Sequence, residues 1–279
     1  MNTNLKSKKK LFGCLLLAAF ILAPVLGANA QNEDDEFGVW TTLEASKKIN
    51  KKLKLDFEAE LRTIEGVGDI DRVSAGAGAS YKFTKWLKAS AGYIFIYSHS
   101  LESKKINKVI DKEAGMYEYE IDAPYWTERH RFHVSLTGDY KVGRVEFSLR
   151  ERVQYTHTNS ATTQETEYGW SQDIDTEEYM PADPVVKTDS KKAKDNTTLR
   201  SRLSAKWDIR NCKVTPFASV ELYTRLDKWK GCDKLRYRIG ASYKINKDNE
   251  ISLFYLYQDA NDDDEPKGHA VGIGYSIDL

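Results

Sequence analysis

The chain has 279 residues, with 42 basic and 42 acidic side chains and a formal net charge of zero. The first 30 residues hold four lysines and no acid, so the remaining 249 residues carry 38 basic and 42 acidic groups. This balance leaves no positive excess for binding a nucleic acid, and no such partner is expected. With 41% hydrophobic residues, 30% charged residues and 16 tyrosines, the composition excludes a disordered chain and a membrane protein built of helices.

The N-terminus has the three parts of a secretory signal peptide. Four lysines within residues 6–10 form a basic segment, residues 11–26 are apolar, and Ala28-Asn29-Ala30 gives the small-x-small pattern that signal peptidase cuts. A retained membrane anchor is the alternative, but the apolar run is shorter than the roughly 20 residues that a spanning helix needs. We therefore predict a signal peptide over residues 1–30 and an exported domain over residues 31–279.

From Phe37 onward, apolar and polar residues alternate with a period of two, which is typical of β-strands. In residues 52–63, for example, one face carries Leu53, Leu55, Phe57, Ala59 and Leu61. Eleven segments alternate in this way, and many of them run 11 to 14 residues. A strand of a soluble protein typically has about five or six residues, whereas a tilted strand that crosses a membrane needs about 9–11.

The connections between these segments alternate between short and long. Five are tight turns, whereas residues 98–125 and 157–195 form much longer connections. This pattern predicts an all-β, transmembrane antiparallel β-barrel of ten to twelve strands, with short periplasmic turns and long extracellular loops. The sheet must close because hydrocarbon offers no partner to the backbone groups of an open edge. A soluble β-sandwich could also alternate, but the signal peptide, the strand lengths and the loop asymmetry favour the barrel.

The strand count conflicts with this simple topology. With both termini at the short-turn rim, an antiparallel barrel needs an even number of strands, and the sequence shows eleven segments. Three solutions stay open: the first segment, Phe37 to Ala45, is not an ordinary wall strand, a twelfth strand is present, or the barrel closes through one parallel pair.

Several short motifs carry a resemblance to a known family. They are Phe37-Gly38-Val39-Trp40, the turn pattern Tyr-Lys-x-x-Lys at residues 81–85 and 243–247, Glu128-Arg129-His130-Arg131, Arg150-Glu151-Arg152 with Tyr155, and Leu199-Arg200-Ser201-Arg202-Leu203. With these motifs the mature chain resembles the secreted barrel family catalogued as domain of unknown function 2490. The resemblance implies a barrel in the outer membrane of a Gram-negative bacterium, surrounded by lipid and lipopolysaccharide. It supplies no activity, catalytic residue or cofactor. Barrels of this kind commonly end in an aromatic residue that the barrel-assembly machinery reads, and here the last residue is Leu279.

If the apolar rows face lipid, the polar rows face the lumen, and these rows are rich in arginine. Spacing of two places both members of an Arg-x-Arg pair on one face of a strand. The candidate lumen residues are Arg62, Arg72, Arg129, Arg131, Arg150, Arg152, Arg200, Arg202, Arg236 and Arg238. Two interpretations compete. Arginines and carboxylates could interlock and plug the barrel, or the guanidinium groups could form an anion-selective passage or an anion-binding vestibule.

Other chemistry has little support. His133 and Ser135 have the His-x-Ser spacing of outer-membrane lipid hydrolases, but their strand face carries arginines and points into the lumen. No metal site or cofactor is expected, and the acid-rich stretches at 173–178 and 262–265 are expected to be solvated. Cys212 in a tight turn and Cys232 beside a long connection are too far apart for a disulfide, so free thiols are predicted.

The preferred functional hypothesis is a barrel without enzymatic activity that conducts or binds anionic solutes through its arginine-rich lumen. The second hypothesis is a sealed barrel that presents its loops to partners outside the cell. The third is a lipid hydrolase built around His133 and Ser135.

Overall fold

The computed structural model describes residues 36–111, 114–172, 179–227, 232–260 and 267–279. The signal peptide and both acid-rich stretches therefore lie outside the described residues. Within them, seventeen strands follow one another: β1 Glu36–Lys48, β2 Leu53–Ile64, β3 Asp69–Lys82, β4 Leu87–Ser100, β5 Ser103–Asp111, β6 Met116–Asp122, β7 Tyr125–Val142, β8 Val145–Thr158, β9 Ala161–Tyr168, β10 Trp170–Gln172, β11 Tyr179–Pro181, β12 Val185–Lys191, β13 Lys194–Trp207, β14 Val214–Arg225, β15 Cys232–Lys244, β16 Asn249–Ala260 and β17 Gly268–Asp278. No helix in the described ranges has the length and apolar character that crossing a bilayer requires.

Eleven of the described strands close into a barrel in the order β1-β17-β16-β15-β14-β13-β8-β7-β4-β3-β2. Strand β1 pairs with β2 in the antiparallel sense but with β17 in the parallel sense, from Glu36 beside Gly268 to Ser46 beside Asp278. The predicted closed barrel of ten to twelve strands is thus confirmed. The expectation of purely antiparallel pairing is corrected at one seam, which is the third of the three solutions to the odd count.

On strand β7 of the barrel, the apolar side chains of the alternating row point outward. On β7, Phe132, Val134 and Leu136 are 53%, 62% and 50% exposed, whereas Ser135 and Thr137 between and beside them are 2% and 6% exposed. This is the alternation of a pleated strand with two unlike faces. The predicted assignment of apolar rows to the outer face is confirmed for this strand.

Part of the barrel interior is apolar, which the alternation of the sequence did not predict. Trp40, Phe254, Leu256 and Ala270 form a buried cluster, against which Phe217 packs. Strand β16 carries apolar side chains on both faces. The period-two pattern identified the outward row, which includes Leu253 and Tyr255, but not the inward apolar side chains. One side of the lumen is therefore filled as a packed core instead of being lined with charges.

Tight turns connect neighbouring barrel strands where the sequence predicts them. The Asn50 Oδ1 atom accepts hydrogen bonds from the backbone nitrogens of Lys52 and Leu53, each at 2.8 Å. The Thr84 Oγ1 atom accepts from the backbone nitrogens of Trp86 and Leu87 at 3.2 and 3.0 Å. Asn and Thr side chains form such turns readily because they satisfy backbone donors two or three residues further along the chain.

The chain divides into two compact units. The barrel unit holds the described parts of residues 1–96, 130–156 and 196–279, and the second unit holds Tyr97–Arg129 and His157–Asp195. The second unit contains a four-stranded sheet in the order β12-β9-β6-β5 and the pair β10-β11. The two long connections were expected to be loops, and the structure corrects this expectation. Their strands escape notice because they are only three to nine residues long.

The two cysteines of the mature chain lie at opposite ends of one hairpin. Cys212 belongs to the turn before β14, whereas Cys232 pairs with Thr224 near the far end of that strand. Both are free thiols, as predicted.

Candidate functional site

The ten candidate arginines do not form one continuous belt. Nine belong to the barrel unit, and Arg129 belongs to the second unit. Within the barrel, Arg62, Arg72 and Arg236 are only 8%, 2% and 5% exposed. The contacts below place several of the nine around a carboxylate, around a tryptophan, and in a cavity.

Glu221 is the acceptor shared by several guanidinium groups. Its carboxylate is buried and lies 2.6 Å from Arg150 Nη2, 3.0 Å from Arg200 Nη2 and 4.0 Å from Arg236 Nη1. The Tyr223 hydroxyl donates a further hydrogen bond to it at 3.1 Å. These contacts join β8, β13, β14 and β15, which are consecutive strands of the barrel wall, so an arginine–carboxylate network lies along one side of the lumen. We call these five residues the Glu221 cluster.

A second group of arginines stacks on Trp40. The guanidinium carbon of Arg62 lies 3.7 Å from the indole centroid, and that of Arg236 lies 4.9 Å from it. Arg62 Nε also donates to Glu60 at 2.7 Å, and Arg236 Nη2 donates to Gln258 at 2.5 Å. The sequence predicted that the arginines point inward, but it did not predict that they stack on Trp40. The Phe-Gly-Val-Trp motif shows only that Trp40 lies on a strand.

A cavity of about 570 Å³ and a neighbouring cavity of about 530 Å³ occupy the barrel interior on the side of the short turns. The second cavity, which we call the basic chamber, is lined by three acids, Asp56, Asp139 and Glu146. Its ten basic lining residues are Lys48, Lys51, Lys52, Lys54, Lys82, Lys88, Arg150, Arg152, Arg202 and Lys206. The larger cavity shares Lys54, Arg152 and Lys206 with it, but there five basic side chains face six acids. The positive excess is therefore a property of the basic chamber.

Two of the three acids in the basic chamber already have partners. Asp56 lies 3.4 Å from Lys54 Nζ and accepts a hydrogen bond from Ser80. Asp139 lies 3.8 Å from Lys88 Nζ and accepts a hydrogen bond from Ser148. These two carboxylates are therefore engaged by Lys54 and Lys88 and, among the residues that the structure describes, form no ion pair with Arg152, Arg202 or Lys206.

Three cations of the chamber lack a carboxylate partner: Arg152 and Arg202 at its inner end, and the exposed Lys206 nearer the short turns. Arg152 Nε donates to the Ser135 hydroxyl at 2.9 Å and has no ion pair with a described residue. Arg202 and Lys206 make neither a hydrogen bond nor an ion pair through their side chains with any residue in the described ranges. The two half-buried guanidinium groups are partly withdrawn from bulk water, and such cations require counter-charges. The chamber is therefore chemically suited to hold an anion.

The shape of the chamber follows from small residues on the inward faces. Ser80, Ser90, Ser148 and Ser204 line it and leave space between the strands. Its mouth is marked by Lys51 and Lys52, which lie at the β1–β2 turn. Outside that turn, the chamber lysines of β2, β3, β4 and β13 stand on the polar strand faces that were predicted to line the lumen. The small residues beside these lysines were the signal that could have predicted a cavity, and it was missed.

His133 and Ser135 both lie on the inner face of β7, but they do not form a nucleophile–base pair. The Ser135 hydroxyl accepts from Arg152, and His133 Nδ1 is buried without a hydrogen-bond partner among the described residues. Nucleophilic catalysis needs the base within hydrogen-bond reach of the hydroxyl. In the second unit, the carboxylates of Asp122, Glu165 and Asp189 lie close enough together to hold a metal ion.

The ammonium group of Lys191 lies between two of these three carboxylates. Its Nζ atom lies 2.5 Å from Asp122 and 2.7 Å from Asp189. Burial alone lowers the pKa of Lys191, but the hydrogen bonds to these two carboxylates outweigh burial and raise the pKa above its ordinary value. A lysine cation thus supplies the positive charge that a metal ion would otherwise bring.

The family described as "Protein of unknown function (DUF2490)" matches residues 37–268. None of the curated proteins matches the chain. Among solved structures, the β domain of the Bordetella autotransporter BrkA is 11% identical, with 82% of each chain covered and a TM-score of 0.41. The CymD monoaromatic hydrocarbon channel is 10% identical, with 87% of each chain covered and a TM-score of 0.35. The translocator domain of the autotransporter NalP from Neisseria meningitidis is 11% identical, covers 94% of this chain and 95% of its own, and has a TM-score of 0.25.

Proposed function

This chain belongs to the family of proteins of unknown function DUF2490, and we propose that it is an outer-membrane β-barrel of a Gram-negative bacterium that binds anionic solutes inside its lumen. The observation that carries the proposal is the basic chamber, where ten basic side chains face three acids. Arg152, Arg202 and Lys206 supply the cations that have no carboxylate partner in the described part of the chain.

The outer surface of the barrel supports the membrane part of this proposal. Barrel strands have 11 to 18 residues, long enough to cross a bilayer at a tilt. Near the short turns, Trp86, Tyr140 and Trp207 are 59%, 72% and 50% exposed, as the aromatic girdle of a membrane barrel requires. In this setting lipid and lipopolysaccharide surround the barrel, the assembly machinery inserts it, and the short turns face the periplasm.

The guanidinium groups at the inner end of the chamber suit anionic ligands. Arg150, Arg152 and Arg202 present planar donor pairs that match carboxylate or phosphate oxygens in a bidentate manner. Low local dielectric constant strengthens such contacts relative to those at an open surface. In the proposed orientation, an anion enters from the periplasmic side, where the chamber has its mouth.

The Glu221 cluster and the arginines stacked on Trp40 favour a binding vestibule over an open pore. Glu221, Tyr223, Trp40 and Arg236 are all less than 10% exposed, so this part of the lumen is packed. We propose that it separates the chamber from the long-connection end of the barrel. The second candidate, an anion-selective passage, differs in requiring a water path through these residues.

Calorimetric titration of the mature chain in detergent with sodium sulfate and sodium phosphate tests the binding proposal. Wild type is expected to bind both, and Arg202→Gln is expected to weaken binding about 10-fold or more, because a hydrogen bond to a charged group contributes about 1.5–3 kcal/mol. Arg210→Gln, in an exposed turn outside the chamber, is the matched control. Absence of binding, or equal losses in both variants, would disprove the chamber as an anion site.

Single-channel recording in planar bilayers separates the vestibule from the passage. The packed Glu221 cluster predicts no steady conductance for wild type. A steady anion-selective current would establish the passage as the function. A current that is neither lowered nor altered in selectivity by Arg202→Gln would show that solutes bypass the chamber.

We propose no enzymatic activity, since His133 and Ser135 are not hydrogen-bonded to each other and Ser135 is bound to Arg152. Purified protein is therefore expected to leave phospholipid vesicles intact. Phospholipid hydrolysis that disappears in Ser135→Ala would contradict this.

A further inference from the structure

The cations of the basic chamber stand at two depths on a single strand. Arg202 and Lys206 both line the chamber and are four residues apart on β13, so their side chains point the same way. Four residues of a strand span about 13 Å, and the tilt of barrel strands reduces this to about 10 Å of depth. Two anionic groups that meet both cations at once must therefore be separated by a distance on the order of 10 Å.

The deeper level consists of guanidinium groups. Arg150, Arg152 and Arg202 line it, and Arg150 alone among the three has an ion pair with a described carboxylate, at 2.6 Å from Glu221. Arg152 is held by the neutral hydroxyl of Ser135. This level consequently keeps two guanidinium charges available to a ligand.

The shallower level consists of ammonium groups. Lys54 and Lys88 are engaged by Asp56 and Asp139 at 3.4 and 3.8 Å, whereas Lys206 has no such partner in the described ranges. Beyond this level, Lys51 and Lys52 stand exposed at the mouth. Positive charge therefore continues from the inner end of the chamber to its opening.

A small anion with a single charged group matches only one of these levels. Ten basic side chains face three lining acids and two further carboxylates, Glu221 and Asp278, which pair with Arg150 and Lys48, so five positive charges remain along the depth of the chamber. A ligand with repeated anionic groups can meet several levels at once, and each further contact is gained without a new loss of translational freedom. The arrangement of the charges thus favours length as well as negative charge in the ligand.

We propose that the ligand is a linear polyanion, with phosphate or carboxylate groups repeated along its length, that inserts lengthwise from the short-turn mouth to Arg202. This inference rests on the proposed anion binding and adds the ligand class. Phosphate and carboxylate share the chemistry that guanidinium recognises. The two sources are distinguished by the probes chosen below.

The test is calorimetric titration of the mature chain in detergent, at fixed ionic strength, with inorganic phosphate chains of increasing length and with oligoglutamates of increasing length. Affinity is expected to rise at least 10-fold from the monomeric anion to a chain that spans both levels, and then to level off. The series that shows the steeper rise identifies phosphate or carboxylate as the preferred group.

Two variants separate the levels. Lys206→Gln is expected to reduce the gain with chain length by more than it weakens orthophosphate binding, whereas Arg202→Gln is expected to weaken both to a similar degree. Lys85→Gln, in an exposed turn outside the chamber, is the control for a general loss of positive charge. Because Lys206 is exposed, its replacement does not threaten folding.

The outcomes distinguish this inference from the proposed function. Orthophosphate binding without any dependence on chain length, or the same loss in Lys85→Gln as in Lys206→Gln, overturns the polyanion inference alone. Failure of every anion to bind removes the proposed function as well.

Discussion

At the scale of single residues, the barrel interior depends on one buried carboxylate. Glu221 is 4% exposed and receives Arg150, Arg200 and the Tyr223 hydroxyl within 3.1 Å. Charges taken from water are tolerated only when they are paired and hydrogen-bonded. Because Glu221 serves more than one guanidinium, its loss leaves several cations facing each other.

Glu221→Gln is therefore expected to destabilise the barrel by about 3–5 kcal/mol, the usual cost of removing one partner from a buried ion pair. Chemical unfolding in detergent, followed by tryptophan fluorescence, measures the effect. Glu146→Gln is the matched control, since Glu146 is exposed and has no ion pair with a described residue. Equal stability of the two variants would show that the Glu221 cluster does not hold the strands together.

The second unit offers a pH-dependent contact outside the barrel. The hydrogen bond from Lys105 at 2.8 Å, followed by the one from Asn107, lowers the pKa of Glu120. A carboxyl group with a lowered pKa in the folded state stabilises that state above its unfolded pKa, about 4.3. This contribution is lost as the pH falls through the folded-state value.

Carbon-13 NMR of the Glu120 carboxyl group checks this contact directly. Its titration midpoint is expected below about 4.3, the value of a free glutamate, and Lys105→Gln is expected to raise it. Lys108→Gln should leave the midpoint unchanged, since Lys108 pairs with Glu118 at 3.8 Å. A midpoint that ignores Lys105→Gln would refute the contact.

At the residue level, the sequence predicts which way a side chain points, but it does not predict which residue becomes its ion-pair partner. Period two places Arg150, Arg152, Arg200 and Arg202 on inward faces because successive side chains of a strand alternate. The partner of an inward arginine depends on the register between strands far apart in the chain. Arg150 and Glu221 are 71 residues apart, so no local pattern reveals their ion pair.

At the scale of elements, the parallel seam between β1 and β17 brings the backbone close to a large ring. Gly272 pairs with Trp40 on one side and with Phe254 on the other. A Cβ atom added at Gly272 would lie 1.9 Å from Phe254 Cζ. The position consequently requires a residue without a side chain for Phe254 to occupy the apolar cluster.

Gly272→Ala is expected to destabilise the barrel by about 1–3 kcal/mol, the usual cost of overpacking a core. Gly138→Ala is the control, because nothing lies within 4 Å of a Cβ added there. Unfolding in detergent is again the measurement. Adding Phe254→Leu to Gly272→Ala should recover part of the loss, and a lack of recovery would mean that the ring is not the cause.

Element-level prediction depended on the length of the strands. Long alternating runs gave the wall of the barrel, and the odd count already contained the parallel seam as one solution. The second sheet was missed because its faces mix charged residues, such as Lys187 and Glu167 at 2.5 Å, with few apolar ones. Short strands of this composition have no row of apolar side chains that period two can reveal.

At the scale of the whole molecule, the barrel interior is divided between a packed region and a charged cavity. The Trp40 and Phe254 cluster fills one region, and the basic chamber occupies another on the side of the short turns. The sequence predicts an arginine-rich interior but not this division, because cavity shape depends on which small residues become neighbours after closure. The proposed function depends on the chamber mouth facing the periplasm, and orientation is accessible to experiment.

The two native cysteines report this orientation because they mark opposite ends of the β14–β15 hairpin. In intact cells, a maleimide attached to a polymer too large for porins should modify Cys232, which is exposed, and spare Cys212 in the short turn. Cys212 should react once the outer membrane is permeabilised. Single-cysteine variants Cys212→Ser and Cys232→Ser, followed by gel shift and mass spectrometry, separate the two signals. Modification of Cys212 in intact cells would show the opposite orientation, with the chamber mouth outside the cell. Protection of both thiols after permeabilisation would show that the two ends of the hairpin are not exposed at the rims of the barrel.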